Sequence, residues 1–269
     1  MVDAELQFLN VGSSGKVRRI ACMLGKGARA DRLGLMWLPG LKSDMISTKA
    51  AALAEWAGPQ GLAMTRFDYS GHGRSEGIFE EATVGDWLTE ARAVFTALTT
   101  GPQILVGSST GGHIALLLLR DLVASAPAHA ERIKALVLIA PAWDLTEELM
   151  WREFDEDARR DLMDKGVYLR PSDYGEPYVI TRRFIEEGRN HLFKGLPFDP
   201  GRPVVILQGV MDKDVPVEHA RRLAGFLTQG WARLIEVADG EHRMSRPQDL
   251  ELLYRQIEEL AGNDFHNNV

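Results

Sequence analysis

The sequence predicts an α/β fold: a mainly parallel sheet with an N-terminal antiparallel hairpin and helices on both faces. Three observations carry this. Six short apolar runs recur along the chain, helix-length amphipathic segments separate them, and two alternating runs precede the series. Buried strands alternating with helices imply parallel pairing, because each crossover helix covers a sheet face. Right-handed crossovers then bring the strand C-terminal ends to one edge, where sites form.

The two alternating runs are Glu5 to Val11 and Lys16 to Leu24, joined through "GSSG", which reads as a hairpin. The expected parallel strands are LGLMWL (33–38), GLAMTRF (61–67), QILVG (103–107), KALVLIA (134–140), PVVILQG (203–209) and ARLIEV (232–237). The expected helices are 43–57, 83–98, 110–125, 217–227 and 247–261. One interval breaks the rhythm. Roughly 60 residues separate Ala140 from Pro203, too many for a plain connection. They are rich in aromatic and methionine side chains: Trp143, Met150, Trp151, Phe154, Met163, Tyr168, Tyr174, Tyr178, Phe184 and Phe193. Helical periodicity at 145–165 and 178–190 predicts an inserted helical cap at about 143–200 within a single domain spanning 1–269. A helix pair packed into the core is the plainer alternative.

Bulk composition excludes several classes. Hydrophobic residues make up 45% and charged residues 26%, within the range of globular proteins. A net charge of −7 argues against nucleic-acid binding, which needs a basic surface. The longest apolar runs fall short of a membrane span, and the acidic start, MVDAELQFLN, resembles neither a secretory nor a transit segment. The single cysteine, Cys22, rules out an intrachain disulfide and fits a reducing compartment. Its place in an alternating stretch marks it as a small strand residue rather than a nucleophile. No HExxH pair or Cys/His cluster points to a metal, and no Gly-rich phosphate loop points to a nucleotide; no cofactor is expected.

The chemistry gathers at four strand ends. In QILVGSSTGG, Gly107-Ser108-Ser109-Thr110-Gly111 fits G-x-S-x-G, and only Ser109 has glycines at both required positions. A strand before it and a helix after it make the sharp turn that lifts a nucleophilic hydroxyl clear of the sheet. After the strand LGLMW, Leu38-Pro39-Gly40 lets the backbone curl, so the amide of Leu41 can join that of Thr110 as an oxyanion hole. After VVIL, QGVMDKDVP offers Asp212 and Asp214. Both qualify by chemistry, the spacing G-x-x-D-x-x-V-P selects Asp212, and Asp214 is expected to cap the helix beginning near Pro216. After RLIEV, ADGEHRMSRP places His242 before the last helix, completing the chain order Ser, Asp, His. His72, His113, His129, His191, His219 and His266 read as surface or packing residues, with His72 in a loop near the cleft.

With these residues in place, the chain resembles the serine α/β-hydrolases. Within them it is similar to the mitochondrial α/β-hydrolase-domain esterases that act as acyl-protein (palmitoyl) thioesterases and acyl-glucuronide esterases. The carrying stretches are LPGLKSDMISTKA, RFDYSGHGRSEG, GPQILVGSSTGG, QGVMDKDVP and HRM. The resemblance implies nucleophile Ser109, acid Asp212, base His242 and oxyanion amides at Leu41 and Thr110. It also implies a small-molecule or acyl-protein substrate cleaved at an ester or thioester bond. Other bonds cleaved by the same triad (carbon–carbon or amide) and a non-catalytic receptor are the alternatives. Dehalogenase and epoxide hydrolase chemistry is a poor match, since those enzymes have an aspartate at the position of Ser109. Arg182 and Arg183 could meet an acidic leaving group such as a glucuronide, although exposed helix arginines usually play no such part. Two departures stand out: Gln208-Gly209 replaces the His-Gly common before the acid, with no expected effect on the chemistry, and the chain shows no transit extension, so a bacterial-type, cytoplasmic protein is expected. Oligomeric state has no signal in the sequence.

Overall fold

A computed structural model describes residues 4–12, 16–27, 32–171, 176–194 and 196–262. Ser13 to Gly15 of the expected hairpin turn, Tyr174 and His266 lie outside the described residues. In chain order the elements are β1 (Ala4–Val11), β2 (Arg18–Gly25), β3 (Gly34–Leu38), α1 (Thr48–Ala57), β4 (Ala63–Phe67), α2 (Val84–Leu98), β5 (Gln103–Ser108), α3 (Thr110–Ser125), α4 (Pro127–Ala130) and β6 (Ile133–Ile139). Then follow a π-helical turn (Thr146–Trp151), α5 (Glu156–Lys165), β7 (Val167–Arg170), β8 (Tyr178–Thr181), α6 (Arg182–Gly188), β9 (Val204–Gly209), α7 (Val217–Phe226), β10 (Ala232–Val237) and α8 (Pro247–Ala261).

The main sheet runs β1-β2-β4-β3-β5-β6-β9-β10. β1 pairs antiparallel with β2 and β2 antiparallel with β4; every later pairing is parallel. Strand side chains alternate between two hydrophobic clusters. Leu105, Leu136 and Leu138 join one with Trp87, Val94, Leu116, Ala220 and Leu223, from α2, α3 and α7. Ile104, Val106, Val137 and Ile139 join the other with Leu53, Leu253 and Ile257, from α1 and α8. This period-two division is why β5 and β6 read as continuous apolar runs: both faces are covered.

The interval between β6 and β9 departs from a purely helical insertion. The stretch 145–165 holds the π turn and α5, but 178–190 opens as a strand, with β7 and β8 forming a separate antiparallel pair. Its strands are short and its burial alternates weakly, so no period-two stripe marks it. The N-terminal end of the 43–57 segment is also non-helical. Met45 N–H donates to Asp68 (2.7 Å) and Ile46 N–H to Asp44 (3.0 Å), which diverts donors that a helix start would use. No helix among the described residues is long and apolar enough to cross a membrane.

Candidate active site

Ser109 sits between β5 and α3 with φ 53° and ψ −119°. This is a left-handed backbone that side-chain-bearing residues rarely adopt. Two flanking glycines make the turn possible by close approach. A Cβ at Gly107 would lie 2.5 Å from the carbonyl oxygen of Gly111, and one at Gly111 would lie 2.0 Å from that of Leu38.

Asp212 follows β9 and its side chain is fully buried. Its Oδ1 accepts from the backbone N–H groups of Asp214 and Val215, both at 2.9 Å. Its Oδ2 accepts from Gln208 Nε2 at 3.1 Å and from His242 Nδ1 at 2.8 Å. The ionised carboxylate only accepts, so Nδ1 carries the proton and Nε2 is left as an acceptor. That nitrogen lies 3.1 Å from Ser109 Oγ, within reach to accept its hydroxyl proton. The three side chains, 133 and 30 residues apart in the chain, thus form one continuous line.

The loop carrying His242 is pinned from two sides. Arg246 grips the carboxylates of Asp239 and Asp249. From α1, Lys49 Nζ donates to the carbonyl of Arg243 and, at 3.4 Å, to Ser245 Oγ. Burial, reinforced by nearby Arg243, lowers the Lys49 ammonium to about 8. The amides of Leu41 and Thr110 flank Ser109 from the end of β3 and the start of α3, and no acceptor among the described residues takes either.

A cleft of about 570 Å³ opens over Ser109. Leu145, Leu149, Met150 and Tyr178, from the segment between β6 and β9, form its apolar wall. Its basic side chains, Lys42, Lys49, Arg170, Lys213 and Arg243, outnumber the acidic Asp44 and Asp214. Arg182 and Arg183 lie elsewhere, paired with Glu186 (2.7 Å) and Asp86 (4.0 Å) on the surface, so they do not meet a group bound at Ser109. Asp214 does not cap α7: that helix starts after Pro216 with no side-chain cap, and Asp214 lends its N–H to Asp212. Together Asp212, Asp214 and His242 put possible metal-ligand atoms within 4.8 Å of one another. Two of the three already spend those atoms on each other, so a cation there would have to break the line to Ser109.

The remaining described histidines serve packing and hydrogen bonding. His113 is buried, accepts the Asp144 N–H and is pushed down to about 3, chiefly by burial. His219 donates from Nε2 to the Trp143 carbonyl at 2.8 Å, and burial pushes it down to about 4. His191 contacts Glu187 and His129 faces Arg132, both half-buried. Cys22 is buried in β2, where burial and nearby Asp68 push its thiol up to about 12, far from a reactive thiolate. Two groups escaped sequence reading. Gln208 bonds the Asp212 carboxylate, overturning the expectation that it stays clear of the chemistry. His72 bonds the backbone beside Leu41; its only sequence signal is a histidine between two glycines after a strand.

A family model described as serine aminopeptidase, S33, matches residues 38–167. The human mitochondrial palmitoyl-protein thioesterase ABHD10 is 34% identical over 229 residues, covering 84% of this chain and 72% of that protein. The mouse counterpart is 33% identical over 261 residues, covering 96% and 82%. Among solved structures, a putative hydrolase from Agrobacterium vitis S4 superposes with a TM-score of 0.93 at 38% identity, covering 96% of this chain and 99% of that one. Mouse α/β-hydrolase domain-containing protein 10 superposes at 0.82 and 31% identity, covering 96% and 98%. Est1E from Butyrivibrio proteoclasticus, at 0.72 and 21% identity over 93% and 96%, shares the fold. On the strength of these matches and of the sheet that carries the site, the chain belongs to the serine α/β-hydrolase superfamily, in the family of the ABHD10 thioesterases.

Proposed function

We propose that the protein hydrolyses carboxylic esters or thioesters of acyl substrates through an acyl-enzyme on Ser109. The observation that carries this is the unbroken line from Asp212 through His242 to Ser109, at 2.8 and 3.1 Å. His242 Nε2 takes the hydroxyl proton as Ser109 Oγ bonds the substrate carbonyl carbon. The carbonyl oxygen gains the electron pair and is held by the amides of Leu41 and Thr110; each such donor is worth about 10²–10³ in rate. The tetrahedral adduct collapses, the bond to the alcohol or thiol breaks, and imidazolium protonates that leaving group. Water then repeats the attack on the acyl-enzyme, returning its proton through His242.

In this reading the segment at about 143–200 is a cap on a single domain spanning 1–269, and its Leu145, Leu149 and Met150 receive the acyl chain. The basic lining opposes an aminopeptidase role, because a substrate ammonium would meet like charge. The lone buried cysteine fits a reducing compartment, and a cytoplasmic location is part of the proposal, although the relatives are named as mitochondrial. The test is a panel of p-nitrophenyl esters, acyl thioesters and aminoacyl p-nitroanilides with wild type and Ser109→Ala, alongside fluorophosphonate labelling mapped by peptide. Ester or thioester turnover lost in Ser109→Ala, with label on Ser109, is the expected result. Equal rates in the two proteins overturn the proposal.

A further inference from the structure

The turn after β3 is held in a conformation it would not choose alone. Lys42 has φ 52°, in the left-handed region, which residues bearing a side chain rarely adopt. The local bond from Ser43 N–H to the Gly40 carbonyl, 3.1 Å, closes the turn. The Lys42 N–H donates outside the turn, to His72 Nε2 at 3.0 Å. The other ring nitrogen donates to the Ser70 carbonyl at 3.1 Å, which fixes the tautomer with Nε2 as acceptor. His72 is 5% exposed, and its ring meets those of Phe79 and Trp87 edge-on, with centroids at 5.3 and 5.2 Å. Its anchor is anchored in turn: Ser70 N–H donates to buried Glu90 at 2.8 Å, and Trp87 Nε1 donates to the Ser70 carbonyl at 3.3 Å.

We infer that His72 is a positioning residue for the oxyanion hole, holding the Leu41–Lys42 peptide so that the Leu41 amide faces the carbonyl oxygen bound at Ser109. The inference rests on the hydrolase reading. A single hydrogen bond is comparable in free energy with the left-handed strain it opposes. Removing the acceptor therefore lets Lys42 relax and rotates the neighbouring peptide. Burial pushes His72 down to about 4, with the Lys42 ammonium acting in the same direction and Ser70 and Asp44 against it; near neutral pH the Nε2 lone pair stays available.

Three variants separate positioning from packing. His72→Phe fills the ring site without either nitrogen. His72→Asn can reach Ser70 but not Lys42, whereas His72→Gln offers an acceptor at the depth of Nε2. Each is assayed for kcat and KM on a short p-nitrophenyl ester and for inhibition by a trifluoromethyl ketone, whose adduct with Ser109 carries the oxyanion. In His72→Phe, kcat should fall about 10- to 100-fold with KM within about twofold, and the ketone inhibition constant should rise in parallel. His72→Asn should match it, which carries the test if the Phe variant does not fold, and His72→Gln should recover most of the loss. A kcat within about threefold of wild type in Phe and Asn, a loss without weaker ketone binding, or a Gln variant as poor as Asn overturns the inference. Ser109→Ala in the same assay separates the two levels. If it matches wild type, the hydrolase reading falls and takes this with it; if it is silent while His72→Phe and His72→Asn stay unimpaired, only the role of His72 falls.

Discussion

Of the four hydrogen bonds that Asp212 accepts, one comes from a side chain outside the line to Ser109. Gln208 Nε2 donates to Asp212 Oδ2, to the Gly209 carbonyl at 3.0 Å and to the Val215 carbonyl at 2.9 Å. Its Oε1 is buried without a partner among the described residues. A buried orphan acceptor costs about 1–3 kcal/mol, so Gln208 is not optimised for stability alone. What it secures is the rotation of the carboxylate that aims the imidazole. Gln208→Leu keeps roughly the same volume and removes the two N–H donors that these three acceptors share. Expected is a drop in kcat of about 10-fold with KM nearly unchanged, since the buried Asp212 side chain does not line the cleft. The lost bonds cost about 1–3 kcal/mol, partly offset by relief of the orphan oxygen. Steady-state kinetics with urea unfolding on the same preparation checks both, and an unchanged kcat would remove Gln208 from the site.

Among the elements, the strand–turn–helix around Ser109 shows how far the sequence alone reaches. Gly107 and Gly111 announced the turn because their lack of a Cβ is itself the structural requirement. The sheet strands were legible to within about two residues because each is an apolar or alternating run closed by a turn. Spacing singled out Asp212 over Asp214, and it is Asp212 that His242 meets. The β7–β8 pair was not legible: Val167 and Leu169 are exposed, and about seven residues part the two strands. Nor were the bonds of His72 and Gln208, which depend on a turn 30 residues away and on a carboxylate one loop later. Such contacts are products of tertiary packing and leave no local period. Glycines also differ in kind. Gly225, near the end of α7, has open space where a Cβ would stand and needs no positive φ. Gly225→Ala should therefore stabilise the protein by about 0.5–1 kcal/mol, raising the melting temperature by about 1–4 °C. Differential scanning calorimetry checks this, and a lower melting temperature would contradict an open site.

For the molecule as a whole, buried histidines set the response to acid. His72 and His219 are pushed down to about 4 and His113 to about 3, each chiefly by burial. In the unfolded chain all three titrate near 6.5. Below that pH the unfolded state binds protons that the folded state refuses, so stability present above pH 6.5 is lost as pH falls. Asp144 works in the opposite sense. Burial raises it to about 6, despite two bonds from the Phe193 N–H, so the folded state gains a proton there before the unfolded one does. Three imidazoles against one carboxyl leave a net uptake of about two protons on unfolding near pH 6, a slope of about 2–3 kcal/mol per pH unit. Asp68 and Glu90, also raised by burial, temper the loss at lower pH. The expected outcome is a clear fall in the urea midpoint between pH 7 and 5.5. His219→Gln should flatten it by about 40%, because one of the roughly two protons taken up is lost while an amide can still donate to Trp143. His219 stands away from Ser109, hydrogen-bonded to Trp143, so this variant should shift the stability curve while leaving the rate at pH 7.5 unchanged. A flat midpoint across that range would mean that the three rings are not held neutral by the core.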